Sequence, residues 1–238
     1  MKKTSSLLSL KIFWDIDGTL LNTNGAAAIP FARAVSKFAQ QEVKIDRKKL
    51  SGFTDYEIAR HLLNSLGKSA SLEQVTNILN NYSNELPDYL QAKKVVVVKG
   101  ALESLTALKK FANVELAIGT GNFFAGAKAK LEYANLFDFF DIKNIFCATE
   151  IYWNRDLIIS NAKRSLRRDQ IGIVIGDSIR DVLSAKQSDM AIIAVATGAH
   201  SSSELLNQNP DYVLENKWVF PELIEAIEKV LKDRFIAN

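Results

Sequence analysis

Leu10-Lys11-Ile12-Phe13-Trp14-Asp15-Ile16-Asp17-Gly18-Thr19-Leu20 is the stretch on which the reading of the fold turns. Leu10–Trp14 is a short, mostly apolar run that stops abruptly at Asp15, the pattern of a buried strand. Four similar runs follow at Val114–Gly119, Asn144–Ala148, Gly172–Gly176 and Ala191–Ala196. Each is short, rich in β-branched residues or Ala, and followed by a polar or Gly turn. Helical patterns lie between or after them at Phe123–Ala134, Asp156–Arg168, Ile179–Gln187 and Ser203–Asn207. Strands alternating with helices predict an α/β fold with a parallel sheet and helices on both faces. Uninterrupted apolar strands agree with that, because a parallel sheet is covered on both sides.

Residues 23–93 read differently. Asn24–Gln40, Thr54–Leu66 and Ser71–Gln91 carry apolar residues at three- and four-residue spacing, and no convincing strand falls among them. Thr54 with Glu57, and Ser71 with Gln74, are spaced as capping boxes. Gly67 is placed to stop the second helix, and Pro87 to kink or divide the third. The expectation is an all-helical domain over 23–93, inserted after the first strand of an α/β core made of 1–22 and 94–238.

Composition excludes several classes. With 238 residues, 47% hydrophobic and 24% charged, the chain is globular in character. Its net charge of +3 comes from scattered basic residues, so no nucleic-acid partner is expected. No run reaches the ~18 apolar residues of a membrane helix, so no membrane partner is expected either. The single cysteine, Cys147, rules out an internal disulfide and fits a reducing compartment. The Lys2-Lys3 start reads as a short tail running into the first strand rather than as a leader, because Ser9 and Lys11 break the apolar stretch. A cytoplasmic location is expected. No pattern specifies an oligomeric state.

Ligands of open parallel sheets bind outside the carboxyl ends of the strands, which is where Asp15 and Asp17 fall. Two carboxylates two residues apart point the same way on extended backbone and repel each other. A divalent cation would relieve that, and hard oxygen donors suit magnesium. Taken alone, the dipeptide Asp17-Gly18 reads equally as an ordinary turn after a strand. Thr120-Gly121-Asn122, after the second run, offers a hydroxyl and backbone N–H groups to an anion; taken alone it also reads as a plain helix cap. Asp177 and Asp181, one turn apart after the fourth run, read alternatively as acids that favour a helix start.

Taken together, Asp15-Ile16-Asp17-Gly18-Thr19, Ile118-Gly119-Thr120-Gly121-Asn122 and Ile175-Gly176-Asp177-Ser178-Ile179-Arg180-Asp181 resemble, in order, the first, second and fourth motifs of the haloacid dehalogenase superfamily. The resemblance implies a Rossmann-like core with a five-stranded parallel sheet in the order 3-2-1-4-5. It also implies a small helical cap and a magnesium-dependent phosphatase acting on a small phosphorylated metabolite. Asp15 is then the nucleophile that forms an aspartyl-phosphate, and Asp17 the general acid and base. Thr120, Gly121 and Asn122 bind phosphate. Magnesium is held by Asp15, Asp177 and the backbone carbonyl of Asp17, with Asp181 orienting a neighbour.

The third motif departs from relatives of the β-phosphoglucomutase type, which carry Lys-Pro before the fourth motif. Here the segment is Tyr152-Trp153-Asn154-Arg155-Asp156-Leu157, and Arg155 is the expected phosphate-binding cation, ahead of Lys163 and Arg164. Ser51-Gly52-Phe53-Thr54-Asp55 resembles a cap loop that reaches over the active site, so Gly52, Thr54 and Asp55 are candidates for substrate contact. His61, His200 and Cys147 match no motif and read as structural. Because Asp17 is present, the leaving group is expected to be an oxygen, unlike those of the dehalogenases and phosphonate hydrolases of the superfamily. The layout is most similar to that of phosphoglycolate phosphatases. The alternatives are a sugar-phosphate mutase of the β-phosphoglucomutase type and a non-catalytic binding protein on the same scaffold.

Overall fold

In the computed structural model, which describes residues 9–46, 48–92, 95–215 and 218–236, the Leu10–Leu20 stretch begins at the centre of a six-stranded sheet. It supplies most of β1 (Ser9–Trp14), which is followed by a two-residue strand, β2 (Leu21–Asn22). Three helices come next: α1 (Ala28–Ala39), α2 (Asp55–Ser65) and α3 (Leu72–Ala92). A second short strand, β3 (Val96–Val97), pairs antiparallel with β2 and closes the helical excursion. Thereafter strands and helices alternate as α4 (Ala101–Leu108), β4 (Val114–Phe123), α5 (Phe124–Tyr133), β5 (Ile145–Ala148), α6 (Arg155–Arg164), β6 (Gln170–Gly176), α7 (Ile179–Gln187), β7 (Ala191–Val195), α8 (Ser202–Leu206), β8 (Tyr212–Leu214) and α9 (Phe220–Leu231).

The sheet order is β5-β4-β1-β6-β7-β8, and every pairing in it is parallel. Its first five members stand in the expected 3-2-1-4-5 order. The sixth, β8, corrects the expected count of five: three residues ending at Leu214 are too few to show a strand pattern, and they exist as a strand because β7 offers them an edge. Two helices also lie outside the expectation, α4 and α9. The third helix is not divided: α3 runs unbroken through Pro87, its residues Tyr82, Leu86 and Leu90 all buried. The apolar stripe on either side of the proline holds the helix together where propensity alone would end it.

Alternation along the strands sends side chains to opposite faces. Ile12, Trp14, Ile118, Ile173 and Ile193 pack on one face with Leu105 of α4 and Leu223 and Ile227 of α9. Phe13, Ala117, Val174 and Ile192 pack on the other with Ile159 of α6 and Val182 of α7. The three helices α1–α3 gather a separate cluster around Phe31, Tyr56, Leu63, Leu79 and Tyr82, and meet the sheet layer at Ala148 and Ile158. No helix among the described residues is long and apolar enough to cross a membrane. The N-terminal tail, residues 1–8, and the expected domain boundary at 93/94 fall outside the described residues.

Candidate active site

Where β1 ends, the Asp15 N–H donates to the Ile175 carbonyl at 2.9 Å and extends the pairing with β6 by one step. The chain then turns back on itself, the Ile16 carbonyl accepting from the N–H groups of Leu20 and Leu21. Gly18 sits in this turn at φ +86°, and a Cβ there would fall 2.5 Å from Asp177 Oδ2. Glycine therefore serves both the left-handed backbone and the approach of the Asp177 carboxylate. Gly198 lies closer still to Asp177, a Cβ there falling 1.6 Å from Oδ2, and the Thr197 hydroxyl donates to the Gly18 carbonyl. Thr19 Oγ1 donates to Asp177 Oδ1 at 3.0 Å.

Asp15, Asp177 and Asp181 bring carboxylate oxygens within 4.8 Å of one another, all buried. Burial pushes the Asp15 carboxyl up to about 6; Arg155 opposes this, the Asp181 and Asp17 charges add to it, and the Thr120 hydroxyl opposes it. Asp177 is raised well above the carboxylate range, by burial first and then by Asp15 and Asp181. This is more negative charge than a dry site holds comfortably. The donor set consists of hard oxygens, so the cluster fits a hard divalent cation.

Arg155, only 4% exposed, opens α6 behind the Asn154 cap. Its guanidinium donates to Asp15 Oδ1 at 3.1 Å and to the Gly119 carbonyl at 3.2 Å, and pairs with Asp181 Oδ1 at 2.7 Å. The other Asp181 oxygen accepts from the N–H and hydroxyl of Ser178, closing a capping box at the start of α7. Asp181 thus holds Arg155 beside Asp15. The rivals lie elsewhere: Lys163 pairs with Asp189, and Arg164 lies over Tyr152.

The Asp17 side chain turns away from this cluster. Its Oδ2 accepts from Asn122 Nδ2 at 2.7 Å and from Lys130 Nζ at 2.6 Å. Asn122 also donates to Thr120 Oγ1 at 2.9 Å, and its own carbonyl oxygen accepts from Lys130. Lys130, on α5 and 4% exposed, is not among the residues expected from sequence. A signal for it existed, since Gly126, Ala127, Lys130 and Leu131 share the buried face of α5 and only one of them is charged.

Above these groups lies a cavity of about 390 Å³ lined by the strand-end residues and by α1, Ile45, residues 50–53, α2 and α3. Of the expected loop residues, Gly52 and Asp55 line it. The Asp55 carboxylate accepts from the Phe123 N–H at 2.8 Å, and burial pushes it up to about 6 against the pull of Lys130. Thr54 does not line it. Its hydroxyl accepts from the Glu57 N–H and donates to the Trp153 carbonyl at 2.6 Å, joining α2 to the sheet layer. Gly121 does line it; a Cβ there would meet the Thr54 Cα at 3.0 Å, so the 53–54 backbone lies directly on the end of β4.

A parallel α/β sheet that gathers buried carboxylates, a threonine and an arginine at its strand ends, roofed by a helical insert, is the kind of site that hydrolytic enzymes build; Thr120, Gly121 and Asn122, expected to follow their strand, lie inside β4, and the Phe123 N–H is taken by Asp55. The chain belongs to the haloacid dehalogenase-like hydrolases, whose family model matches residues 12–195. It is 27% identical over 226 residues to the "Probable phosphatase IndB" of Dickeya dadantii, covering 93% of this chain and 94% of that protein. It is 24% identical over 243 residues to a bifunctional riboflavin kinase/FMN phosphatase of Arabidopsis thaliana, covering 97% of this chain and 61% of that protein. Among solved structures, a "predicted phosphatase" from Clostridium acetobutylicum superposes with TM-score 0.69 at 24% identity, covering 94% of this chain and 100% of that one. CbbY from Rhodobacter sphaeroides, in complex with phosphate, superposes with TM-score 0.69 at 15% identity, covering 87% of this chain and 94% of that one.

Proposed function

We propose that this hydrolase is a magnesium-dependent phosphatase that releases inorganic phosphate from a small phosphorylated metabolite through an aspartyl-phosphate on Asp15. The observation that carries the reading is the convergence of Asp15, Thr120, Arg155 and Asp177 on one cavity with Asp17 beside them. The phosphatase names of the relatives support it. In this reading an Asp15 carboxylate oxygen attacks phosphorus, as carboxylate nucleophiles do in other phosphoryl transfers. The bond from phosphorus to the ester oxygen breaks, and protonated Asp17 gives its proton to that oxygen. Asp17 then takes a proton from the water that hydrolyses the aspartyl-phosphate.

Lys130 and Asn122 fix the Asp17 Oδ2 so that one carboxylate serves both steps. The Thr120 hydroxyl and the Arg155 guanidinium face the phosphoryl oxygens, whose negative charge has to be met by positioned donors, and Gly121 lines the same cavity. Asp15, Asp177 and the Asp17 backbone carbonyl would hold the magnesium ion, which when bound neutralises part of that charge. Residues 23–93 act as a cap over a core of 1–22 and 94–238, a division supported by the separate apolar cluster of α1–α3. Gly25 and Gly100, both at positive φ, flank the insert where a hinge would bend.

The test is phosphate release from a panel of phosphomonoesters. Activity disappears in excess chelator and returns with magnesium. Asp15→Asn lowers turnover by at least ~10³-fold, the range for removing a nucleophile, with the circular dichroism spectrum unchanged. Near-normal turnover of that variant would refute the covalent route.

A further inference from the structure

We propose that the ester cleaved at Asp15 has an uncharged, ring-bearing leaving group, which lies on the apolar wall that the helical insert adds to the cavity; this rests on the phosphatase reading. The floor of the cavity is polar and charged. The opposite wall is not: it is made by Phe31, Ile45, Leu50, Phe53, Ile58 and Tyr82. The Phe31 and Tyr82 rings meet at 4.8 Å and form an aromatic corner. Phe53 has the Arg180 guanidinium 3.7 Å from its ring centroid, which fixes the orientation of the ring. A volume of about 390 Å³ lies in the range of small-molecule sites and exceeds the needs of a phosphoryl group with a two-carbon alcohol.

Charge narrows the class further. Among the described residues the cations lining the cavity are Lys130 and Arg155. Lys130 is engaged by Asp17 and Asn122, and Arg155 by Asp15 and Asp181. The acid beside the wall, Asp55, would repel a leaving group that itself bore a carboxylate or a second phosphate. Such a group would lose its hydration with no unengaged described cation to replace it. A flat uncharged ring is instead favoured by every part of its apolar surface that it lays on the wall. Asn22 and Ser51, neutral and polar, stand at the edge where hydroxyl groups of a sugar or polyol would reach. The favoured class is therefore the phosphomonoesters of uncharged ring-bearing alcohols, nucleosides among them. Phosphorylated hydroxy acids and bisphosphates are disfavoured.

The experiment compares uridine 5′-monophosphate with 2-phosphoglycolate on the full chain with magnesium. The expected result is kcat/KM at least ~10-fold higher for the nucleotide, the discrimination expected when one substrate strands a buried charge. Equal values, or preference for phosphoglycolate, overturn the proposal. Ile58→Lys puts a cation in the wall and shifts the ratio toward phosphoglycolate by ~10-fold or more; Ile45→Lys, on a loop, repeats the test where α2 tolerates no change. An unchanged ratio in both folded variants overturns it. Calorimetric titration of the Asp15→Asn chain with the two esters separates this from the underlying reading. Tighter binding of the nucleotide supports the leaving-group class even where the wild-type chain releases no phosphate, a result that would sink the phosphatase reading alone. Equal binding, or binding of neither ester, overturns the class.

Discussion

Lysine is seldom buried without a partner, and Lys130 is buried with two, Asp17 and Asn122. Removing its charge leaves Asp17 without its closest cation and Asn122 with an unmet carbonyl oxygen. Lys130→Met keeps the length and apolar stem of the side chain. It is expected to lower kcat by ~10–100-fold with little change in KM, the split expected when the proton donor loses its placement but the phosphoryl site stays. A change confined to KM would assign Lys130 to substrate binding instead. Asp15, Asp17, Thr120, Asn122, Arg155, Asp177 and Asp181 were legible because strand-end position sets several of them near one another and because their segments resemble, in order, the motifs of the family. Lys130 lies eight residues past Asn122 on a helix, and pairing with Asp17 across 113 residues is visible only once α5 is laid against β4. Asp55 carries a pH signature. Burial raises it from 3.8 to about 6, so between those values the folded chain holds a proton that the unfolded chain has released. Its contribution to stability is therefore present at low pH and lost as pH rises through about 6, on the order of 3 kcal/mol in full. Glu115, lowered to about 2 by Gln170, Lys11 and Arg167 against its own desolvation, works in the opposite sense but only below 4.5. Asp55→Asn abolishes the Asp55 effect. The melting temperature of the variant minus that of the wild type should be higher at pH 7.5 than at pH 5, and a pH-independent difference would refute the assignment.

At the scale of elements, the 51–55 segment shows how local chemistry positions a loop. Thr54 caps α2 in the capping box that its spacing with Glu57 predicts, and the same hydroxyl ties the helix to Trp153. What the spacing cannot show is that this use of the hydroxyl keeps Thr54 from the cavity, a tertiary effect of where α6 begins. Gly52 precedes it at φ +77°, and a Cβ there would fall 2.6 Å from Ser178 Oγ and 3.0 Å from Arg180 Cβ. Gly52→Ala meets both a strained backbone and the start of α7, so the loop must lift. The expected outcome is a kcat/KM reduced by ~10-fold or more with a stability loss of about 1–2 kcal/mol at most, measured by phosphate release and thermal melting. An unchanged kcat/KM would mean that the loop does not need its seat on α7. Elsewhere, legibility tracked length and burial. The apolar strands β1, β4, β6 and β7 declare themselves, whereas β8 has three residues. Leu223, Ala226, Ile227 and Val230 give α9 a clear helical spacing behind Pro221, yet it lies beyond the last strand that the alternation demands. Pro87 misleads for the opposite reason, a strong local signal overruled by packing on both sides.

Across the whole molecule, the candidate site lies where the helical insert meets the sheet layer, and the two are joined by apolar as well as polar contacts: the insert's cluster takes in Ala148 and Ile158, Tyr56 meets Phe123, and the Asp55 carboxylate accepts from the Phe123 N–H. Arg180 Nη1 pairs with Glu57 at 3.2 Å and lies over Phe53, and Thr54 bonds Trp153. An ion pair with a partly exposed Arg contributes little, roughly 0–1 kcal/mol. In the proposed route the fate of the aspartyl-phosphate separates a phosphatase from a mutase. A mutase has to keep water from that intermediate while a bisphosphate turns around, and it has to bind the second phosphate meanwhile. Here the described cations lining the cavity, Lys130 and Arg155, are already paired within the site. The labelled phosphoryl group should therefore leave as inorganic phosphate. Incubation with magnesium, a phosphosugar labelled at phosphorus and a trace of its bisphosphate should put nearly all transferred label into free phosphate, with the isomeric phosphosugar no more than a trace. Strengthening the closure should not change that product, because the shortage of a second phosphate site persists when the roof is shut. Isomerised phosphosugar as the main product, with little free phosphate, would reassign the chain to the mutases and would require a second phosphate site in the cavity.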